Sequence, residues 1–284
     1  MTKLSYLNVG CGDKFHPLWT NIDMHPSSPD VRAHDLRKGF PFHDDTFEVI
    51  YHSQVLEHFQ KEDASCFMRE CFRTLKPGGI LRVVVPDLEN IAREYLRLLD
   101  ENVQRPSPTI EADYDWILLE MYDQTVRNQR GGEMQRFIGN PGIINESYVT
   151  GRVGQSARSL LASAVTAASR KNFSFSARHL TSSLLNLLSR LIPSRAWRVG
   201  SFRLEGEVHM WMYDRFSLSR LLRVSGFEGI ELRAPLLSGI PRWAEYELDA
   251  KNGLIFDPTS LFMEARKPAR GATASTDALD AELS

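Results

Sequence analysis

The sequence predicts an α/β fold built on a mainly parallel sheet, and three observations predict it. Short strand-like apolar runs alternate with turns and a helical pattern through the first ninety residues. A glycine turn, Gly10-Cys11-Gly12, follows the first run directly. The β-branched run ILRVVV, Ile80 to Val85, reads as a central strand buried on both faces.

Strands are expected at Tyr6 to Val9, Thr20 to Asp23, Val31 to His34, Val49 to His52 and Ile80 to Val85, the last after the turn KPGG. Between the fourth and fifth, Lys61 to Leu75 carries Phe67, Met68, Cys71, Phe72 and Leu75 at helical spacing, so an amphipathic helix covers one face of the sheet. The strand pattern stops after Pro86 and returns in GFEGIELRAP (226–235) and SLFMEARK (260–267). Before them, FSLSRLLRVSGF reads as a helix ending at Gly226. Residues 1–90 and 208–267 therefore form one sheet domain, interrupted by a mostly helical insertion over 91–207. The small polar residues of 268–284 predict a disordered tail.

The 284 residues suffice for a sizeable core, and a net charge of −2 gives no global field toward nucleic acid or an acidic partner. Three cysteines, Cys11, Cys66 and Cys71, lack the spacing of a disulfide scaffold, which fits a reducing cytoplasm. The N-terminus runs straight into a strand without a signal-peptide pattern, and no apolar run reaches the ~18 residues of a membrane span. The insertion has one anomaly. From Ser147 to Leu204 there is no Asp or Glu, against nine Arg or Lys, interleaved with amphipathic apolar runs. That segment is either a helical lid with a solvated basic face or a peripheral contact with an anionic membrane at its inner face. It lacks the regular aromatic interleaving of a single-strand groove, so nucleic acid is not an expected partner.

Glycines directly after the first strand allow a tight turn and close approach of a ligand to the backbone. The third glycine of the dinucleotide fingerprint is missing, with Phe15 in its place, and no second nucleotide-binding half follows, which argues against a nicotinamide dehydrogenase. Asp23 ends the second strand, where a carboxylate can hold both hydroxyls of a ribose, and Asp35 follows the third. Strand, G-x-G, strand-Asp, strand-Asp is a nucleoside-binding layout at the carboxyl ends of a parallel sheet.

Together, LNVGCG, TNID, HDL, FPFHDDTFEVIYHSQVLEHF and RTLKPGGILRVVVPD resemble the class I S-adenosylmethionine-dependent methyltransferases over about the first ninety residues, and weakly over the last sixty. The resemblance implies a Rossmann-like, seven-stranded sheet with a terminal antiparallel strand and S-adenosylmethionine bound over the strand ends. It implies Gly10, Cys11 and Gly12 along the methionine part, Asp23 on the ribose, Asp35 and Leu36 beside the adenine, and Ser53 below the methionine end. Two departures stand out. Asn8 occupies the place of the usual acidic residue before the glycine turn. Only ten residues separate Gly12 from Asp23, so the first helix must be very short. A looser similarity of EMYDQTVRNQRGGEM and HMWMYDRFSL to methyltransferases of bacterial surface-polysaccharide clusters bears only on the acceptor.

Methyl transfer to a hydroxyl needs the acceptor proton removed, by a base or with the help of a metal. The stretch SQVLEHF, residues 53 to 59, follows the fourth strand. In a helix starting near Ser53, Gln54, Glu57 and His58 share one face. Three readings follow: His58 is a general base oriented by Glu57; Glu57, His58 and a distant His209, with Gln54, hold a divalent cation such as Mg²⁺ or Mn²⁺; or the pair only supports the cofactor loop. The metal reading rests on the resemblance, because ubiquinone-pathway and small-RNA 2′-O-methyltransferases place Glu-x-x-Glu-His here, where this chain has an amide first. His52 is a competing base. Tyr114, Asp115, Asp123, Gln124, Arg127, Arg130 and Glu133 are candidates for contact with the acceptor. The expected function is methylation of a hydroxyl on a sugar, glycolipid or related metabolite. The alternatives are N- or O-methylation of another small molecule, or cofactor binding without turnover.

Overall fold

The computed structural model describes residues 4–140, 142–154 and 194–270. Its strands are β1 (Tyr6–Val9), β2 (Thr20–Asp23), β3 (Val31–Ala33), β4 (Phe47–Ser53), β5 (Leu75–Pro86), β6 (Glu228–Leu232), a small hairpin of β7 (Ala250–Lys251) and β8 (Leu254–Ile255), and β9 (Ser260–Arg266). The helices are α1 (Lys61–Thr74), α2 (Leu88–Gln104), α3 (Pro108–Val126), α4 (Gly132–Ile138), α5 (Glu146–Val153), α6 (Arg195–Leu204) and α7 (Arg215–Val224).

Seven strands form one sheet in the order β3-β2-β1-β4-β5-β9-β6. The first five in the chain pair in parallel, and β9 runs antiparallel between β5 and β6. This is the mixed seven-stranded sheet that the resemblance to class I methyltransferases implies. The order reverses between β1 and β4, where open α/β sheets bind ligands beyond the strand ends. On one face, Ala64, Phe67, Met68 and Cys71 of α1 and Leu218 and Leu222 of α7 pack on Leu7, Ile50, Leu81, Val83 and Met263. Their three- and four-residue spacing puts them on one stripe of each helix.

The KPGG segment differs from its expected role as a separate turn. It lies within β5 as a bulge, where the register jumps from Phe47 opposite Leu75 to Val49 opposite Ile80. No helix forms between β1 and β2; the ten residues there make only turns. The sheet face left bare is covered by residues 240–248 instead. Trp243 and Tyr246, in a short 3-10 turn, join Tyr6, Trp19 and Tyr51 in an edge-to-face aromatic cluster, with Trp19 and Tyr246 ring centres 5.1 Å apart.

Beneath this cluster lies Arg82 of β5, fully buried. Its guanidinium donates to Asp249 (2.8 Å), Glu264 (2.8 Å) and the carbonyls of Ala234, Pro235 and Leu237, and it lies over the Trp243 ring. Tyr51 donates to the same Asp249 at 2.6 Å. A buried guanidinium needs this many acceptors, and here they tie the 234–250 segment to the sheet.

The helices after β5 form a small bundle beside the strand ends. Asp87 caps α2 and Ser107 caps α3, and Trp116, Ile138 and Val149 make an apolar centre. Arg152 of α5 grips Glu120 of α3 in a buried bidentate pair (2.6–3.0 Å). Much of the basic stretch 147–204, expected to act as lid or membrane contact, lies outside the described residues, as do 271–284 of the expected disordered tail. Arg270, at the start of that tail, pairs with Asp45. No helix among the described residues is long and apolar enough to cross a membrane.

Candidate active site

Gly10 and Gly12 both adopt positive φ, +64° and +54°, so the chain turns sharply off β1. They differ in surroundings. A Cβ on Gly10 would sit 2.5 Å from Val55 Cγ2, whereas one on Gly12 would meet nothing within 4 Å. The Asp23 carboxylate clamps the turn, accepting from the Gly12 amide (2.8 Å) and the His25 amide (2.7 Å).

Two cavities open over this turn. One, of about 330 Å³, is lined by Gly10, Asp23, Leu36, Gln54, His58 and Phe59, and is closed by Arg203 to Gly206 at the end of α6. The other, of about 190 Å³, is lined by Asn8, Cys11, Gly12, Tyr51 and Ser53, and shares Gly10 and Gln54 with the first. Asn8 is buried, and its amide donates to the Lys14 carbonyl at 2.9 Å, closing the loop below the turn. Burial, and then the charge of Asp23, push the Cys11 thiol up to about 12, so it lines the cavity as a neutral group.

Asp35 does not line either cavity. It caps the 3-10 turn Leu36–Lys38 and pairs with Arg37 (2.9 Å), whose hydrogen bond holds its carboxyl below the usual range. Arg37, which no motif marks, lines the larger cavity beside Leu36.

The helix expected from Ser53 does not form. Gln54 takes a left-handed φ of +55°, and only a 3-10 turn, Leu56–His58, follows. Gln54, Glu57 and His58 therefore do not share a helix face. The Gln54 amide nitrogen donates to Ser260 Oγ at 3.0 Å, which turns this side chain toward β9 and away from a place in the expected metal set.

Glu57, His58 and His209 do come together, with one ligand atom from each within 4.8 Å of the others. The backbone brings them there. The Glu57 carbonyl accepts from Met210 N (2.7 Å), and His209 N donates to the Gln124 carbonyl (2.9 Å), so the 208–211 strap is sewn between the 3-10 turn and α3. The two imidazoles meet edge-on at 4.9 Å. Desolvation lowers the pKa of His58 and of His209, so both rings are neutral near pH 7. His58 Nδ1 donates to the Val208 carbonyl (3.2 Å), and the Gln54 carbonyl is a second backbone partner of the ring. Both Glu57 carboxyl oxygens and His209 Nδ1 are buried without a hydrogen-bond partner among the described residues. Burial pushes the Glu57 carboxyl up to about 8.

This donor set fits a divalent cation in part. An orphaned carboxyl and two neutral imidazoles supply three ligand atoms, and the unmet cost of the buried Glu57 is what a cation would relieve. It also fits a protonated Glu57 that supports the two rings. His52 belongs to neither arrangement. It is fully buried, edge-on to Phe67 at 5.0 Å, and lines none of the cavities described here. As the sixth residue of β4 its side chain enters the α1 side of the sheet, so the expectation of a second base there is not met. Of the candidates on α3 and in the segment after it, Gln124 reaches the cluster, its amide 3.3 Å from His209 Nε2, while Asp123 and Arg127 pair with each other and Glu133 of α4 with Arg136.

Residues 7–83 match the family described as "Methyltransferase domain". That span holds β1 to β5, the glycine turn, Asp23 and the Glu57-His58 pair. The chain is also 39% identical, over 57 residues, to a probable S-adenosylmethionine-dependent methyltransferase of Mycolicibacterium smegmatis, a match covering 19% of this chain. It spans about a fifth of that relative's length, 21%. Among solved structures, a putative methyltransferase of Bacillus halodurans is 13% identical, with 95% of this chain and 94% of that one covered, at a TM-score of 0.36. Phosphoethanolamine N-methyltransferase 2 of Haemonchus contortus, in complex with S-adenosyl-L-methionine, is 12% identical, with 94% of this chain and 49% of that one covered, at a TM-score of 0.34. Over residues 7–83 this chain carries a methyltransferase-type domain.

Proposed function

We propose that the protein is an S-adenosylmethionine-dependent methyltransferase that methylates a hydroxyl of a sugar, glycolipid or related polyhydroxylated metabolite, with residues 91–207 as a cap over the acceptor. The observation that carries the reading is the pair of neighbouring cavities at the carboxyl ends of β1, β2 and β4, which share Gly10 and Gln54, one lined by Asp23 and His58 and the other by an open Gly12. In this reading Asp23 and Leu36 hold the nucleoside and Gly12, Cys11 and Ser53 the amino-acid end. When bound, the donor supplies a methyl group on an already activated sulfonium. The protein's part is to align the acceptor, exclude water and take its proton. His58 suits the proton transfer, because it is neutral, its Nδ1 is held by the Val208 carbonyl, and it lines the larger cavity.

The orphaned atoms of Glu57 and His209 favour a second reading, in which Glu57, His58 and His209 hold Mg²⁺ or Mn²⁺, which would acidify the acceptor hydroxyl. Labelled methyl-donor assays on a panel of sugars, glycolipids, amines and phenols, with and without chelator, test both. Transfer to hydroxyl acceptors supports the proposal, and transfer confined to amines, or none to any acceptor, opposes it. Loss on chelation restored by Mg²⁺ or Mn²⁺ selects the metal; unchanged activity selects the base. Peripheral contact with an anionic membrane through 147–204 is part of the proposal on its charge pattern. Co-sedimentation with phosphatidylglycerol vesicles, absent with neutral ones, tests it.

A further inference from the structure

β6 is an edge of the sheet, and four of its five residues are exposed. On the α7 face its Ile230 and Leu232 line an open groove with Phe216, Ser219 and Met263. Leu232 and Phe216 are 53% and 68% exposed. An edge strand bare of any cover, with apolar side chains beside it, is a template for pairing with another strand.

The ladder to β9 fixes which backbone groups of this edge are free. Arg233 N donates to the Phe262 carbonyl (2.9 Å), and Leu232 stands opposite Met263. Leu232 and Met263 are therefore a non-hydrogen-bonded pair, and the Leu232 N–H and C=O point away from β9. The register jumps between Glu228 and Glu231, with Gly229 at φ +55°, so the straight part of the edge begins after this bulge. Glu231 and Arg233 flank Leu232 on the sheet face away from α7. There they pair with each other, and Arg233 also reaches Glu264 at 3.0 Å.

A second copy of the same edge fits these groups in one register. With a two-fold axis through Leu232, the two Leu232 residues exchange both backbone hydrogen bonds, and Glu231 of each strand stands opposite Arg233 of the other. That makes two reciprocal pairs of opposite charge. An axis through Glu231 would set like charges together and call on backbone groups already bound to β9. An axis through Ile230 would run the bulge into the ladder and set Arg233 opposite Phe227. On the α7 face, the axis through Leu232 brings the two apolar grooves side by side. We propose that the protein forms a two-fold dimer by antiparallel pairing of β6 with β6 of a second copy, centred on Leu232. The inference is independent of the methyltransferase reading, since β4, β5 and β9 separate this edge from β1 and the glycine turn.

Sedimentation velocity on the whole protein over a dilution series tests it. The wild type should show a monomer–dimer equilibrium, with twice the mass of the chain at the concentrated end. Leu232→Pro removes an outward N–H and keeps the ladder to β9, and Glu231→Arg sets Arg against Arg across the axis. Each should weaken dimerisation at least tenfold, with circular dichroism unchanged. Glu231→Arg chains mixed with Arg233→Glu chains should dimerise with each other at least tenfold more tightly than either does alone, because opposite charges then meet at both positions. A local defect in either variant gives no such rescue. A wild type that stays monomeric throughout, a dimer unaffected by Leu232→Pro and Glu231→Arg, or folded variants that gain nothing on mixing would overturn the proposal. Should Arg233→Glu fail to fold beside Glu264, the other two variants decide alone.

Discussion

His52 offers a sharp test of where the structure divides core from site. Its ring is fully buried and both nitrogens lack a partner among the described residues. Burial lowers its pKa from the ordinary 6.5 to about 3. Above pH 6.5 the ring is neutral in both folded and unfolded chains, and its contribution to stability is fully present. As the pH falls toward 3 only the unfolded chain takes up the proton, so stability is lost. Between pH 7.5 and 5 these two values give a loss of about 2 kcal/mol from this one group. His52→Phe keeps a ring against Phe67 and cannot titrate, so the variant should gain on the wild type by that amount over the interval. In melting curves the gap between the two proteins should widen by roughly 4–8 °C from pH 7.5 to pH 5. Parallel curves across that range would refute the placement of His52 as a neutral core residue, as would a His52→Phe protein that binds donor normally but has lost methyl transfer.

Further outcomes follow from the same geometry. Gly10→Ala should destabilise by about 2–4 kcal/mol, because the methyl group strikes Val55 at positive φ, while Gly12→Ala should cost only about 1–2 kcal/mol and act mainly on donor affinity. Denaturation and donor titration on the two variants separate these effects. Arg82→Met strands two buried carboxylates and should cost about 3–5 kcal/mol in urea unfolding, with no specific change in donor binding once folded. If His58 is the base, His58→Gln should lower kcat about 10²–10⁴-fold and leave S-adenosylhomocysteine bound, as kinetics and calorimetry on one preparation would show.

Much of the sheet is legible in the sequence because its signals are local. Tyr6 to Val9 and Thr20 to Asp23 are bounded by turn residues on both sides and end where expected, and α1 announces itself by the spacing of Phe67, Met68 and Cys71. The glycine turn and Asp23 are equally local, and the structure joins them through the Gly12 amide. The rest depends on distant contacts. Nothing near Arg82 signals that Asp249 and Glu264 will bury it, and nothing near Trp243 signals that it replaces a helix after β1. The stretch from Gln54 to His58 fits a helical period, but the left-handed turn at Gln54 and the Met210 strap to Glu57 override it. The pairing of His209 with His58 could be suspected only through resemblance, since 150 residues of chain separate the Val208 carbonyl from the His58 ring it holds.

The central claim is that the space over Gly12 and Asp23 binds the methyl donor. Calorimetric titration with S-adenosylhomocysteine measures it most directly. The account predicts one site per chain, weakened at least tenfold by Asp23→Ala in a variant whose circular dichroism is unchanged. No measurable heat with the folded wild type, or an Asp23→Ala protein that binds as well, would contradict it.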